Sequence, residues 1–210
     1  MKEIIIATKN QGKLREIKEL LGEFNIKVTS LADYPDAPDV VEDGKTFSSN
    51  AIKKAVTIGK YTGKLVMGED SGLEIDVLDN QPGIYSARFA GDDATYQKNN
   101  EKVLKLLEDV PMAKRQARYR CFAALSDGGK VIGVVNGSCA GLIALSTRGE
   151  NGFGYDPLFI VPRYKKTFGE LNPDIKAAIS HRFHALQKFK TMFIAYLSTG
   201  KKELGCGCPH

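Results

Sequence analysis

The sequence predicts an α/β fold in which an elongated central mixed β-sheet is flanked by helices on both faces. The opening is a β-branched run, Glu3–Ala7, followed by a glycine-bearing turn and a helical pattern with Leu14, Ile17 and Leu21 at i, i+3 and i+7. Further on, two strand-like runs, Gln116–Ser126 and Val131–Leu142, flank Asp127-Gly128-Gly129, a strong hairpin signal. A final helix begins after Ser180 and buries Leu186, Phe189, Phe193 and Leu197.

The segments between these landmarks fill in the order. A second strand is expected near Ile26–Ser30, then a loop marked by Pro35 and Pro38. A helix from Thr46 to Tyr61 carries a polar stripe of Thr46, Asn50, Lys53, Thr57 and Lys60 opposite an apolar one of Phe47, Ala51, Ala55 and Ile58. Leu65-Val66-Met67 reads as a buried strand that ends in a turn at Gly68–Gly72. Alternation then resumes with Leu73, Ile75 and Val77 against Glu74 and Asp76. After a Pro82–Asp93 loop, a helix from Tyr96 to about Glu108 presents Val103, Leu104, Leu106 and Leu107, and a short strand is expected at Leu158–Val161. With no repeat or linker, residues 1–210 read as a single domain, residues 201–210 being a flexible tail.

Composition narrows the function classes. A chain of 210 residues that is 42% hydrophobic and 26% charged can bury a core without staples. Its formal charge of +5 suits anionic small molecules and also weak, non-specific nucleic-acid binding. The basic residues are spread along the chain, which favours the first and argues against specific nucleic-acid recognition. Cys121 and Cys139 sit inside apolar strand-like runs, so a disulfide framework is not expected. The N-terminal apolar run is too short for a signal-peptide core and no segment approaches a membrane span, so a cytoplasmic protein with reduced thiols is expected.

Several clusters have the residue types that nucleotide chemistry requires. Thr8-Lys9-Asn10-Gln11-Gly12-Lys13, between a strand and a helix, offers backbone and side-chain donors plus cations to a phosphate. It lacks the Walker pattern, and the spacing suits an ordinary βα turn with surface lysines equally well. Glu42 precedes a helix and Glu69-Asp70 follows an apolar strand. Such carboxylates can ligate Mg²⁺, which prefers oxygen, or simply be solvated turn residues. Of these Asp70 has the better claim, because a tight turn before Ser71-Gly72 would bring its carboxylate to substrate.

Asn151–Pro157 sets glycines around two aromatics. Such a loop allows close backbone approach, a stacking surface and, at Asp156, an acceptor for a base edge; it also suits a plain turn into the next strand. Lys176 joins Ser180-His181-Arg182. If Ser180 caps the last helix, His181 and Arg182 lie in a first turn that disfavours cations, a cost that a bound anion or base can offset and that is only about 0.3–1 kcal/mol. Cys206, Cys208 and His210 supply too few fixed ligands for a closed metal site.

Seven runs, in order, resemble the inosine triphosphate pyrophosphatase family of non-canonical purine nucleotide hydrolases: ATKNQGK, TFSSNAIKKA, EDSGLEID, PGIYSARFAG, ARYRC, GFGYDPLF and SHRFHAL. They extend from about residue 3 to residue 190. The resemblance implies two lobes with a nucleotide-binding cleft between them, usually in a homodimer. It implies Mg²⁺-assisted attack of water on the α-phosphorus of ITP, dITP, XTP or dXTP, releasing monophosphate and pyrophosphate. By motif, Thr8, Lys9, Asn10, Gln11, Gly12, Lys13 and Lys53 would grip the triphosphate. Glu42 and Asp70 would hold Mg²⁺, Asp70 would serve as general base, and Ser71 would touch substrate. Phe153, Gly154, Tyr155, Asp156, Lys176, His181 and Arg182 would form the base pocket, with Phe153 stacking on the purine.

The chain departs from the family pattern at Glu69, where a second aspartate is common, and at Lys9, where glycine is frequent. Two other readings compete: a pyrophosphatase for other modified nucleotides, and a nucleotide-binding protein without turnover. The first predicts a different substrate ranking. The second predicts salt-sensitive binding and no activity for Asp70→Asn to abolish.

Overall fold

The computed structural model describes residues 3–22 and 26–199. The cysteine-containing tail expected over residues 201–210 lies outside the described residues. Seven strands form one sheet in the order β2-β1-β3-β4-β5-β6-β7. They are β1 (Glu3–Ile6), β2 (Lys27–Ser30), β3 (Leu65–Ile75), β4 (Gln116–Asp127), β5 (Lys130–Ile143), β6 (Phe159–Val161) and β7 (Lys166–Thr167). The helices are α1 (Gln11–Leu21), α2 (Phe47–Thr62), α3 (Tyr96–Leu106), α4 (Pro173–Ile179) and α5 (His181–Thr199). The sheet is mixed: β1 pairs in parallel with β2 and β3, whereas β6 is antiparallel to both β5 and β7. Among the described residues no helix is long and apolar enough to cross a membrane.

The chain divides into two compact units. One draws on Met1–Asp70, Cys121–Gly137 and His184–His210, the other on Ser71–Arg120 and Ser138–Phe183. In the first, β1 is apolar at successive positions because both its faces are covered. Ile4 and Ile6 join Leu14, Ile17 and Leu21 of α1 and Leu186, Phe189 and Phe193 of α5. Ile5 and Ala7 pack with Val66, Ile58 of α2 and the loop residues Leu31 and Tyr34. Period-two alternation thus sends one set of side chains to α1 and α5 and the other to α2.

The second unit packs Leu73 and Ile75 of β3, Tyr119 of β4, Val103 of α3, and Tyr155, Phe159 and Phe168 into one cluster. Arg115, just before β4, is buried and donates to the carbonyls of Leu107, Val110 and Ala144, tying the end of α3 to the sheet.

The structure corrects the sequence reading at several places. Val77 is not a core strand position: it lies in a short 3-10 turn, Asp76–Leu78, and is 44% exposed. Leu106 is the last residue of α3 and is exposed, so the inward set there is Val103 and Leu107, with Leu104 against them. The short elements β7 and α4 had no periodic signal to announce them.

The consequential correction concerns β3, which runs unbroken from Leu65 to Ile75 where a turn at Gly68–Gly72 was expected. Gly68 serves contact, not turning: a Cβ there would lie 2.1 Å from the Ala51 carbonyl oxygen and 2.7 Å from the Ala55 nitrogen of α2. That close approach brings α2 onto the strand and holds Glu69 and Asp70 in an extended backbone. Successive strand residues face opposite sides.

Gly68→Ala is expected to destabilise the protein by about 3 kcal/mol, the upper part of the range for forcing a methyl group into a closed contact. A denaturant midpoint equal to that of the wild type would contradict the close packing of α2 on β3.

Candidate active site

In the first unit the predicted phosphate turn is a helix entry. Thr8 Oγ1 accepts from the Asn10 amide at 3.1 Å, and Asn10 Oδ1 accepts from the Lys13 amide at 3.1 Å as the N-cap of α1. Gln11, Gly12 and Lys13 are therefore the first helical turn and not loop, with the positive end of the helix behind them. A cavity of about 540 Å³ is lined by Thr8, Lys9 and Gln11 together with Glu42 and Lys54, which places the turn beside a carboxylate and a lysine. Lys9 itself pairs with Asp39 at 2.6 Å, and both side chains are exposed.

The helix α2 supplies the next layer. Lys53, the lysine that sequence reasoning selects, is part-exposed and pairs with Asp43 at 2.6 Å. Its neighbour Lys54 is the buried one. The Lys54 ammonium lies 2.7 Å from Glu42 Oε2 and 3.6 Å from Asp70 Oδ1, and donates to the Glu69 carbonyl at 3.0 Å. Asn50, placed on the polar stripe by periodicity, is buried too, and its amide donates to Asp70 Oδ2 at 3.2 Å. Lys54 shares a face with Phe47, Ala51 and Ile58, and a lysine on that apolar stripe was the available signal.

Asp70 is buried on β3. Loss of hydration raises its pKa, the nearby Lys54 and Lys13 charges pull it back, and Glu42 and Glu69 add to the rise. Glu69 faces the other way: Lys13 Nζ lies 2.6 Å from Glu69 Oε2, and the Cys121 thiol of β4 donates to Glu69 Oε1 at 3.2 Å. Glu42 and Asp70 converge on one ammonium, a position already electrostatically suited to a cation. No group of three or more acidic, histidine or cysteine side chains gathers among the described residues. That donor set fits a magnesium ion held by two carboxylates, waters and substrate phosphates, and not one caged by protein alone.

The second unit holds the other predicted group. Asp156 is buried; its Oδ2 accepts from Lys176 Nζ at 2.6 Å and from the Phe153 amide at 2.8 Å. The carboxylate thus holds the loop and the lysine. Gly152 has φ of +81°, and a Cβ there would lie 2.0 Å from Asp156 Oδ2, so only glycine lets the loop fold over the acid. The Phe153 ring has Lys176 Nζ 4.7 Å and the Arg182 guanidinium carbon 5.6 Å from its centroid. Tyr155 turns into the core, where its hydroxyl donates to the Ser86 carbonyl at 2.8 Å.

Ser180 Oγ accepts from the Phe183 amide at 3.1 Å, so His181 and Arg182 do occupy the first turn of α5, and both are buried. Arg182 donates to Ser71 Oγ at 3.1 Å, bringing Ser71 to this group. Tyr119, which sequence reasoning passes over, stacks on the His181 ring at 4.5 Å and 9° and directs its hydroxyl toward Asp156 Oδ1 at 3.4 Å. Burial raises the pKa of that phenol well above its usual value, keeping the hydroxyl protonated.

Known proteins resemble this chain over most of its length. The Ham1 family profile matches residues 4–192. A dITP/XTP pyrophosphatase of Desulforamulus reducens is 48% identical over 186 residues, covering 89% of this chain and 92% of the relative. One from Bacillus cereus is 48% identical over 192 residues, covering 90% of this chain and 94% of the relative. A HAM1 protein structure from Coxiella burnetii superposes with a TM-score of 0.86 at 40% identity, over 93% of this chain and 100% of the other.

Burial lifts the pKa of Asp70 above its ordinary value of 3.8, so the fold favours its protonated form. Stability from this group is fully present below about 3.8 and is lost as pH rises through the raised folded value. Asp70→Asn is therefore expected to raise the melting temperature at pH 7 by a few degrees in metal-free buffer, with the gain shrinking as the pH approaches 4. Equal melting temperatures at pH 7 would contradict the desolvated carboxylate.

Proposed function

The chain belongs to the Ham1 family, and from that premise we propose that it hydrolyses ITP, dITP, XTP and dXTP to the monophosphate and pyrophosphate. Beyond the family itself, the observation that carries this reading is Asp70, a buried carboxylate of raised pKa held by Asn50 and facing Lys54 and Glu42. A carboxylate poised that way accepts a proton from water more readily than an ordinary aspartate.

Each part of the reaction has a candidate. Thr8, Asn10, Gln11, Gly12 and Lys13 at the entry of α1 take phosphate oxygens through hydroxyl, amide and ammonium donors. Lys54 replaces Lys53 as the second phosphate lysine, because it is the one beside Asp70. Glu42 and Asp70 hold magnesium, which when bound neutralises phosphate charge and polarises the phosphorus centre. Asp70 orients the attacking water toward the α-phosphorus and takes its proton.

In the second unit, Lys176, His181 and Arg182 give the 6-oxo group of hypoxanthine or xanthine a hydrogen-bond donor. Adenine, with an amino group there, leaves that donor unpaired. Phe153 offers its ring to the purine, Gly154 lets the backbone approach, and Ser71 is held by Arg182. Asp156 acts through Lys176 and does not read the base edge. A homodimer is part of the proposal. So is a cytoplasmic setting, which suits the free thiols of Cys121 and Cys139.

The test is pyrophosphate release from ITP, XTP, GTP, ATP and dUTP with Mg²⁺. ITP and XTP are expected to turn over fastest, and Asp70→Asn to lose at least about 10³-fold in kcat. Preference for dUTP would move the reading to other modified nucleotides, and no release from any would move it to binding without turnover. In the same assay Lys54→Ala is expected to cost about 10²-fold in kcat/KM and Lys53→Ala less than about 3-fold, as for an exposed ion pair. The reverse order would restore Lys53 to the site.

A further inference from the structure

Glu69 is the motif residue that the proposed chemistry leaves unused, and its surroundings are more specific than a solvated turn residue would have. We propose that Glu69 is a positioning residue that aims the Lys13 ammonium at the substrate phosphates, an inference that rests on the phosphate role of Lys13.

Its side chain is fully buried, and that of Lys13 is 15% exposed. Their charged atoms are 2.6 Å apart, a close ion pair. The lysine stem leaves the first turn of α1, whose entry is fixed by the Asn10 cap, and reaches β3, which parallel pairing with β1 holds in place. Both ends of the contact are thus on rigid elements. Cys121 Sγ on β4 donates to the other carboxylate oxygen at 3.2 Å, so the carboxylate is oriented from a third element. A buried carboxylate without a partner would be costly, and Lys13 supplies the compensating charge.

An ammonium has three donors in fixed tetrahedral directions. An ion pair this close fixes where the ammonium sits, and so which directions are open to its donors. The glutamate length matters here: an aspartate would withdraw the carboxylate by about one carbon–carbon bond, ~1.5 Å. The contact at 2.6 Å would then lapse with the backbone unmoved.

Because β3 alternates, the Glu69 side chain leaves the strand on the side opposite Asp70, although the Glu69 and Lys13 charges both still act on Asp70. Loss of the tether should weaken the hold on phosphate without removing the group that activates water. A residue that merely filled space would lower the melting temperature and leave the substrate KM where it was.

The test uses the full chain and two readouts: KM and kcat for ITP with Mg²⁺, and calorimetric binding of inorganic tripolyphosphate. Glu69→Gln keeps the shape and removes the charge. It is expected to raise the ITP KM and weaken tripolyphosphate binding by about 10-fold, with a smaller change in kcat because the Glu69 charge also bears on Asp70. Glu69→Asp is expected to give a smaller effect of the same kind, about 3-fold, and carries the test if Glu69→Gln does not fold. In a Lys13→Ala background either change is expected to add less than about 2-fold, since no ammonium remains to be aimed. An unchanged KM and tripolyphosphate affinity in the Glu69 variants, or an undiminished effect in the Lys13→Ala background, would overturn the inference while leaving the pyrophosphatase reading intact. Wild-type protein that binds tripolyphosphate and hydrolyses no triphosphate would instead sink that reading, and the binding comparison would still decide the role of Glu69. Failure of the wild type to bind tripolyphosphate would overturn both.

Discussion

Burying two consecutive carboxylates on one strand is the constraint around which the first unit is organised. Glu69 and Asp70 face opposite sides of β3, and each must be compensated there by a group from another element. Glu69 is met by Lys13 from α1 and by the Cys121 thiol from β4. Asp70 is met by Asn50 and Lys54 from α2, with Glu42 sharing the same ammonium. The two helices can reach the strand because β1 buries both its faces and because Gly68 admits α2 to close contact. The desolvation that makes this arrangement costly also raises the pKa of Asp70, which is the basis of the role proposed for it.

The second unit has a complementary problem, the burial of Lys176, His181 and Arg182. Lys176 is kept by Asp156, Arg182 by the Ser71 hydroxyl, and His181 by the face of Tyr119. Placing His181 and Arg182 in the first turn of α5 opposes the helix dipole. A chain accepts such local conflicts where binding demands them.

Much of this was legible in the sequence. Element order, the mixed sheet, the hairpin at Gly128-Gly129 and the capping of α5 by Ser180 all follow from period and turn chemistry. What escaped were features set by tertiary contact. Gly68 looks like a turn residue until the nearness of Ala51 is known. Helical periodicity could not decide between Lys53 and Lys54, because a lysine on an apolar stripe becomes intelligible only once a carboxylate is found facing it. Tyr119 lies in a strand-like run with nothing local to mark it, and it stacks on His181, which is distant in sequence. Asp156 was singled out by its glycine-aromatic loop, but the direction of its carboxylate, toward Lys176 and its own loop, was not legible.

Attack of water at the α-phosphorus is the step on which the roles proposed for Asp70, Lys13 and Glu42 all depend. Hydrolysis of ITP in ¹⁸O-labelled water, with the products separated and weighed by mass spectrometry, tests it most directly. One labelled oxygen is expected in the inosine monophosphate and none in the pyrophosphate. Label in the pyrophosphate, or its appearance in orthophosphate released from the γ position, would contradict attack at the α-phosphorus.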